Sequence, residues 1–459
     1  MNRLVVIGLD GLAPQLALDT WLEELPNLKA LLSRGFGGRL RSTIPAITVP
    51  AWTSMMTSKD PGALGIYGFR NRRSRQYHDF RISDAAAVHA ATVWDHLSRN
   101  GRRSLVMGVP QTYPPRPING ILISCFMTPD KKAQFTYPAA VQPALDKLAG
   151  GEYVIDVENF RTDNKLDLLT SIQQMTLSRF RAFRALLKAD NFDFAMMVEM
   201  GPDRLHHGFW RYCDPRHRLY QPGNPYEQVL HDYYLSLDEE IGRVTEAAGD
   251  GASFLVVSDH GAKAMEGAIC INEWLQDRGY LTLKERPSAR TSFRPELVDW
   301  RHTLAWGEGG YYGRLFLNVA GREPEGRLSP REYEAFRTRL KSELEAIGDE
   351  AGRPIGTRVF RPEDIYSQVN GIAPDLIVYF GDLDWRSAGL VGVRSWHLRE
   401  NDTGPDDANH SEDGIVVWDP GPAWKPRIAA SYLIYDLAPS ILRFFGLTPP
   451  EDMLGSSIL

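Results

Sequence analysis

The chain has 459 residues, 43% hydrophobic and 24% charged, with 52 basic and 58 acidic side chains that give a net charge of −6. That is ordinary globular usage, enough for one large domain with an insertion or for two domains, and it excludes disorder as the default and any global basic field for nucleic acid or anionic lipid. Three cysteines, Cys125, Cys213 and Cys270, with no CxxC pair, argue against a disulfide framework and for a reducing, cytoplasmic compartment.

The N-terminal run LVVIGLD (4 to 10) predicts a buried strand that meets the charge of Asp10 too soon for a secretory signal, and no apolar stretch approaches the roughly eighteen residues of a membrane span. Leu28, Leu31 and Leu32, closed by Gly35, predict a helix. Residues 39 to 69 are Ser/Thr-rich and punctuated by proline. Within them Thr48 precedes Val49-Pro50, and a helix opened near Ala51 would set the Thr48 hydroxyl beside amides able to receive a phosphate oxygen. Val93 and Leu97, closed by Gly101, predict a second helix, SLVMGV (104 to 109) and GILISCF (120 to 126) two strands, and Leu169 through Leu187 a long helix. FAMMVEM (194 to 200) and FLVVSD (254 to 259) are further buried strands. Residues 276 to 374 change character, and beyond them come DLIVYF (375 to 380), GIVVW (414 to 418) and a last helix in SYLIYDLAPSILRFF. The alternation predicts an α/β fold with a mostly parallel central sheet and helices on both faces. Residues 1–275 and 375–459 are expected to form its catalytic core and 276–374 an inserted cap.

Asp10, Asp203 and Asp259 each fall at or just past the carboxyl end of a predicted strand, the edge where open α/β sheets bind ligands. A lone Asp there is as well explained by a turn or a helix cap. Two of the three carry histidines at useful spacings. Asp203 and His207 are four apart and share a helix face, a step that favours His207 over His206, and Asp259 and His260 are adjacent at a strand end. Carboxylates with imidazoles suit Zn²⁺, Mn²⁺ or a similar ion.

Taken in chain order, VVIGLDG, TVPAWTSMMTS, the D-x-x-x-H of DRLHH, SDHG and the final histidine of DDANH resemble the alkaline phosphatase superfamily, and within it the type I phosphodiesterase and nucleotide pyrophosphatase branch. The neighbouring text, such as VPQTYPP and DLAPSILRFFGL, is similar to a prokaryotic intracellular group of predicted phosphohydrolases or phosphomutases. The resemblance implies two divalent ions, Zn²⁺ by superfamily expectation with Mn²⁺ or Mg²⁺ suited to the same ligands. Asp203, His207 and His410 would hold one, and Asp10, Asp259 and His260 the other, with the Thr48 Oγ on the second ion as nucleophile. It implies hydrolysis of a phosphodiester or phosphoanhydride in a small nucleotide-like or sugar-nucleotide-like substrate, with no part for duplex nucleic acid or a membrane.

One departure concerns the substrate. Diesterases of this branch carry T-F-P-N, whose asparagine amide contacts a phosphate oxygen, where this chain has Thr48-Val49-Pro50-Ala51. Lys59, Arg70 and Asn71, the last two beside Arg72 and Arg73, are the replacement candidates, although a basic run is usually a solvated face. Trp52, Tyr67, Phe69, Phe209 and Trp210 could stack a base, and Asp402, Asp406 and Asp407 could hold a further cation, though packing and an acidic surface loop explain them equally well. The alternatives are a phosphomonoesterase or phosphomutase acting on a small phosphorylated metabolite, and a catalytically silent metal binder. A sulfatase is disfavoured, because Cys213-Asp214-Pro215-Arg216 is one residue short of that branch's signature and far from Thr48.

Overall fold

The computed structural model describes residues 2–393, 395–425, 427–429 and 431–459. The chain divides into two compact units, one of Met1–Leu64, Ser83–Ala262 and His410–Leu459, the other of Gly65–Ile82 and Lys263–Asn409.

The first unit is built on a nine-stranded sheet of β1 (Arg3–Leu9), β2 (Phe36–Arg41), β3 (Ser104–Met107), β4 (Gly120–Ile123), β5 (Thr136–Tyr137), β6 (Phe194–Glu199), β7 (Ala252–Val257), β8 (Asp413–Asp419) and β9 (Ser431–Leu433). Their order is β9-β2-β8-β7-β1-β6-β3-β4-β5. The five from β7 to β4 run parallel. β1, β3, β6 and β7 are buried along nearly their whole length, which is why they read as continuous apolar runs rather than alternating ones. Antiparallel β8 joins β7 to β2, and β5 closes the far edge antiparallel to β4.

The helices of this unit that position the site are α1 (Pro26–Arg34), α2 (Thr48–Thr57), α3 (Val93–Arg99), α4 (Lys165–Ala189), α5 (Gly201–Cys213), α6 (Val229–Ala248) and α7 (Leu437–Phe444). Asp238 on α6 accepts from the free amides of Asn27 (3.0 Å) and Leu28 (2.8 Å) at the start of α1, so one carboxylate caps one helix and ties it to another. Strand β2 escapes the sequence reading because FGGRLR carries two glycines and two arginines. Those glycines serve its packing: a Cβ at Gly37 would stand 2.5 Å from the Val416 carbonyl oxygen on β8.

The second unit has its own antiparallel sheet, in the order Ala305–Glu308, Gly313–Leu317, Leu376–Tyr379, Arg358–Phe360. Trp306, Phe316, Leu340 and Val378 are in its core. The predicted strand DLIVYF therefore belongs to this sheet and not to the parallel one, since an apolar run announces burial without saying which sheet buries it. Residues 65–82 join the same unit through Tyr77, which stacks on Trp300 at 3.6 Å and donates its hydroxyl to Asn318 Oδ1 at 2.8 Å. The unit is thus wider than the 276–374 suggested by composition, and it draws on two separate stretches of chain.

Candidate active site

The adjacent central strands β7, β1 and β6 end together. Gly8 pairs with Val198 on one side and Val257 on the other, so Asp10 and Asp259 leave the sheet at the same level, while the chain after β6 turns into α5 and places Asp203 in its first turn. Three carboxylates from positions 10, 203 and 259 thereby meet at one edge. Gly11, at φ +67, makes the turn after Asp10, and its amide donates to Asp259 Oδ1 at 3.2 Å. His410 arrives just ahead of β8, whose antiparallel direction puts its beginning beside the end of β7.

Helix α2 is buried at all ten positions and begins at Thr48. Its Oγ1 lies 3.5 Å from Asp10 Oδ1 and 3.4 Å from His260 Nε2. One turn on, Trp52 donates its indole N–H to Asp10 Oδ2 at 2.7 Å. Gly8 makes room for that indole, since a Cβ there would meet the Trp52 ring at 2.6 Å.

Two groups of donors result. In one, Asp203 Oδ1 is 3.3 Å from His207 Nε2 and 3.5 Å from His410 Nε2, and the two imidazole nitrogens are 3.3 Å apart. In the other, His260 Nε2 is 3.6 Å from Asp10 Oδ1 and 3.4 Å from Asp259 Oδ2. The His260 and His410 rings stack at 3.8 Å and join the groups. The Nδ1 atoms of His260 and His410 face the carbonyls of Gly261 and Ala46, both at 3.0 Å, which turns each Nε2 inward and fixes the ring as a metal site would require.

Burial, with Asp259 and Asp203 close by, drives the Asp10 carboxyl well above the usual range. Burial also lifts Asp259 to about 6, against the pull of His260 and the Gly11 amide. Burial opposes the charge on Asp203 too, but His207, His410 and Arg204 outweigh it and hold that carboxyl well below the ordinary value. Burial pushes the His410 imidazole down to about 3, so it is a neutral donor. A buried carboxylate oxygen, Asp259 Oδ2, has no hydrogen-bond partner among the described residues. A neutral imidazole at His410, carboxylates that repel one another and the unpartnered Asp259 Oδ2 fit divalent cations at this edge.

The site takes in Asp10, Thr48, Asp203, His207, Asp259, His260 and His410, all from the first unit. His206 turns away, its Nε2 on the Tyr234 hydroxyl at 2.9 Å. Lys59 is not brought in: it follows the far end of α2, about 15 Å of helix from Thr48, and its ammonium pairs with Asp452 at 2.6 Å. Asn71 spends its amide on its own turn, accepting from Tyr67 N (2.7 Å) and donating to Gly68 O (2.8 Å). Arg70 lies over the Phe80 ring at 5.6 Å within the second unit. Of the aromatic candidates, Trp52 is committed to Asp10, Phe209 packs on Tyr212 and Tyr226, and Trp210 donates to Asp214. Cys213 donates to the Tyr226 carbonyl.

Sequence reasoning missed Arg204. Its guanidinium donates to Asp203 Oδ2 at 2.6 Å and reaches Asp156 with two further bonds at 3.2 and 2.7 Å. Asp203 therefore offers only Oδ1 to its histidine neighbours. Phe160 packs on the same arginine at 4.5 Å and lies 5.8 Å from the His207 ring. An arginine beside Asp203 was visible in DRLHH, but Asp156 and Phe160 stand in a loop with no periodic signal.

The fold is alkaline phosphatase-like. The human ectonucleotide pyrophosphatase/phosphodiesterase 5 aligns with a TM-score of 0.55 at 13% identity over 99% of this chain and 97% of its own. Phosphonoacetate hydrolase from Sinorhizobium meliloti 1021, solved with phosphonoformate, aligns with a TM-score of 0.62 at 16% identity over 97% and 95%. The murine ectonucleotide pyrophosphatase/phosphodiesterase 5, an inactive threonine-to-alanine variant in complex with AMP, aligns with a TM-score of 0.55 at 12% identity over 98% and 97%. No curated protein sequence matches the chain. The model of the type I phosphodiesterase / nucleotide pyrophosphatase family matches residues 4–406, and the chain belongs to that family. Among the described residues no helix is long and apolar enough to cross a membrane.

Proposed function

We propose that the chain hydrolyses phosphodiester or phosphoanhydride bonds in small nucleotide-like or sugar-nucleotide-like substrates, with Thr48 as nucleophile and two divalent ions as cofactors, Zn²⁺ by the superfamily expectation. The observation that carries this reading is the place of the Thr48 hydroxyl, buried at the start of α2 and 3.4 to 3.5 Å from both His260 and Asp10. Asp203, His207 and His410 would hold one ion, and Asp10, Asp259 and His260 the other. Held there, the ions would supply Lewis acidity, lowering the pKa of the attacking hydroxyl and neutralising charge on the leaving oxygen. Thr48 Oγ attacks phosphorus in line, its bond to phosphorus forms as the bond to the leaving oxygen breaks, and the alcohol or phosphate departs. The Thr48 hydroxyl proton is lost to solvent and the leaving oxygen takes one up; water then attacks the phosphoryl- or nucleotidyl-threonine, and the remaining phosphate ester departs as a proton returns to the Thr48 oxygen. Trp52 and the Gly11 amide hold Asp10 and Asp259 in place throughout. The inactive threonine variant of the murine neighbour supports giving Thr48 this role.

Turnover of bis-p-nitrophenyl phosphate and p-nitrophenyl phosphate with added Zn²⁺ or Mn²⁺ tests the reading. Metal-dependent cleavage favouring the diester, lowered by about 1,000-fold or more in Thr48→Ala with metal binding kept, is the expected result. Preference for the monoester would replace the diesterase by a phosphomonoesterase or phosphomutase, and activity surviving in Thr48→Ala would remove Thr48 from the mechanism.

A further inference from the structure

Gln111 lies in the loop just beyond the carboxyl end of β3, on the same sheet edge as Asp10, Asp203 and Asp259 and one strand across from β6. Gly108, at φ +69, presses this loop against β6, where a Cβ would stand 2.9 Å from the Val198 carbonyl oxygen. Thr112 Oγ1 donates to Val109 O at 2.6 Å and Ala85 N donates to Tyr113 O at 2.7 Å, so the loop is fixed on both sides of Gln111. Two costs meet at this one residue. Its backbone is left-handed, at φ +66, without being glycine or asparagine. Its side chain is only 6% exposed, yet neither the amide oxygen nor the amide nitrogen has a hydrogen-bond partner among the described residues.

A strained backbone and an unpaired buried amide are each unfavourable for folding, and neither is explained by the packing of the loop. A carboxamide offers two donors without adding charge, which suits the non-bridging oxygen of a singly charged phosphodiester. Helix α2 carries no such donor, because Ala51 occupies its first turn. We propose that Gln111 is a specificity-determining residue whose amide donates to a non-bridging oxygen of the substrate's phosphoryl group. The inference rests on the Thr48 reading of the same site.

The distinguishing feature is that an unpaired buried amide can be removed without loss of stability. In the Zn²⁺-loaded full chain, Gln111→Leu is expected to raise KM for bis-p-nitrophenyl phosphate about 10- to 100-fold, the effect of losing one hydrogen bond to a charged group, while leaving Tm unchanged or higher. The Tm rise that inorganic phosphate produces in the wild type should shrink in the variant. A fall in Tm would show that the amide is structural and overturn the proposal, as would an unchanged KM or a phosphate-induced rise equal in the two proteins or absent from both. Failure of the wild type to cleave either ester would count against Thr48 instead, and the phosphate measurement would still decide for or against Gln111.

Discussion

Two regions of the chain are rich in buried acids, and they treat those acids in opposite ways. In the second unit, Asp402 and Asp406 stand 3.4 and 3.8 Å from the buried guanidinium of Arg386, which also donates to Asn401 Oδ1 at 2.6 Å. Asp402 Oδ2 further accepts from Gly389 N, and Asp406 from the Tyr311 hydroxyl. At the carboxyl edge of the parallel sheet, Asp10 and Asp259 meet an indole, a threonine hydroxyl, one backbone amide and His260, with no arginine or lysine bonded to either among the described residues. Asp402 and Asp406 carry their own counter-charge, whereas Asp10 and Asp259 face one another, and at that edge it is Asp203 that has an arginine, Arg204, on its other oxygen. Buried like charges raise each other's pKa, and the second arrangement is tolerable when a cation completes it.

Removing the internal counter-charge should cost most. Arg386→Met leaves two buried carboxylates without their partner, and denaturant unfolding should show a loss of about 3–5 kcal/mol. The Tm rise produced by Zn²⁺ should persist, because it comes from the other unit. A loss of that metal response would mean that the Arg386 cluster, and not the sheet edge, takes the ion. The converse change should stabilise. Asp259 has a folded pKa raised to about 6, so the folded state binds its proton more tightly than the unfolded state does. The penalty is absent below the unfolded value, grows through the interval up to about pH 6 and is full above it. Metal-free Asp259→Asn should therefore exceed the metal-free wild type by at most about 3 kcal/mol above pH 6, with no difference near pH 3, and should lose the Zn²⁺ response. Stability curves that stay parallel from pH 3 to 7 would contradict the penalty that burial, with Asp203 nearby, places on the Asp259 carboxylate.

The central strands were legible because parallel strands buried on both faces are written as unbroken Val, Ile and Leu runs, and their carboxyl ends located Asp10, Asp203 and Asp259. Helix spacing favours His207 over His206, and the structure sets His206 Nε2 on the Tyr234 hydroxyl and His207 Nε2 beside Asp203 and His410. Strand β2 was illegible because close packing on β8 selected glycine where strand propensity would write a branched residue. The destination of DLIVYF was illegible for a different reason, since sheet membership is decided by partners far away in the chain. Lys59, Arg70 and Asn71 have the chemistry of phosphate donors and nothing in the sequence that aims them. The structure commits them to Asp452, the Phe80 ring and a local turn, because a donor's chemical suitability carries no information about its direction. Arg204 shows the reverse: the residue stood beside Asp203 in plain view, and only the fold revealed its second partner, Asp156.

The smallest effect comes from within the candidate metal site. Trp52 and Trp210 are both buried and both donate an indole N–H to an aspartate, at 2.7 Å to Asp10 and 3.2 Å to Asp214. Only the first aspartate belongs to the candidate metal site. Phenylalanine keeps most of the apolar contact and removes the donor, so Trp52→Phe frees Asp10 Oδ2 to rotate away from the geometry that points Oδ1 at Thr48 and His260. Zn²⁺ affinity, measured by calorimetry, should weaken about 10- to 100-fold, the range expected when the hydrogen-bond partner of a metal ligand is removed. Trp210→Phe should leave it at the wild-type value. Equal affinities in the two variants would mean that Asp10 is held by its buried surroundings rather than by the indole, and Trp52 would then be a packing residue like its counterpart.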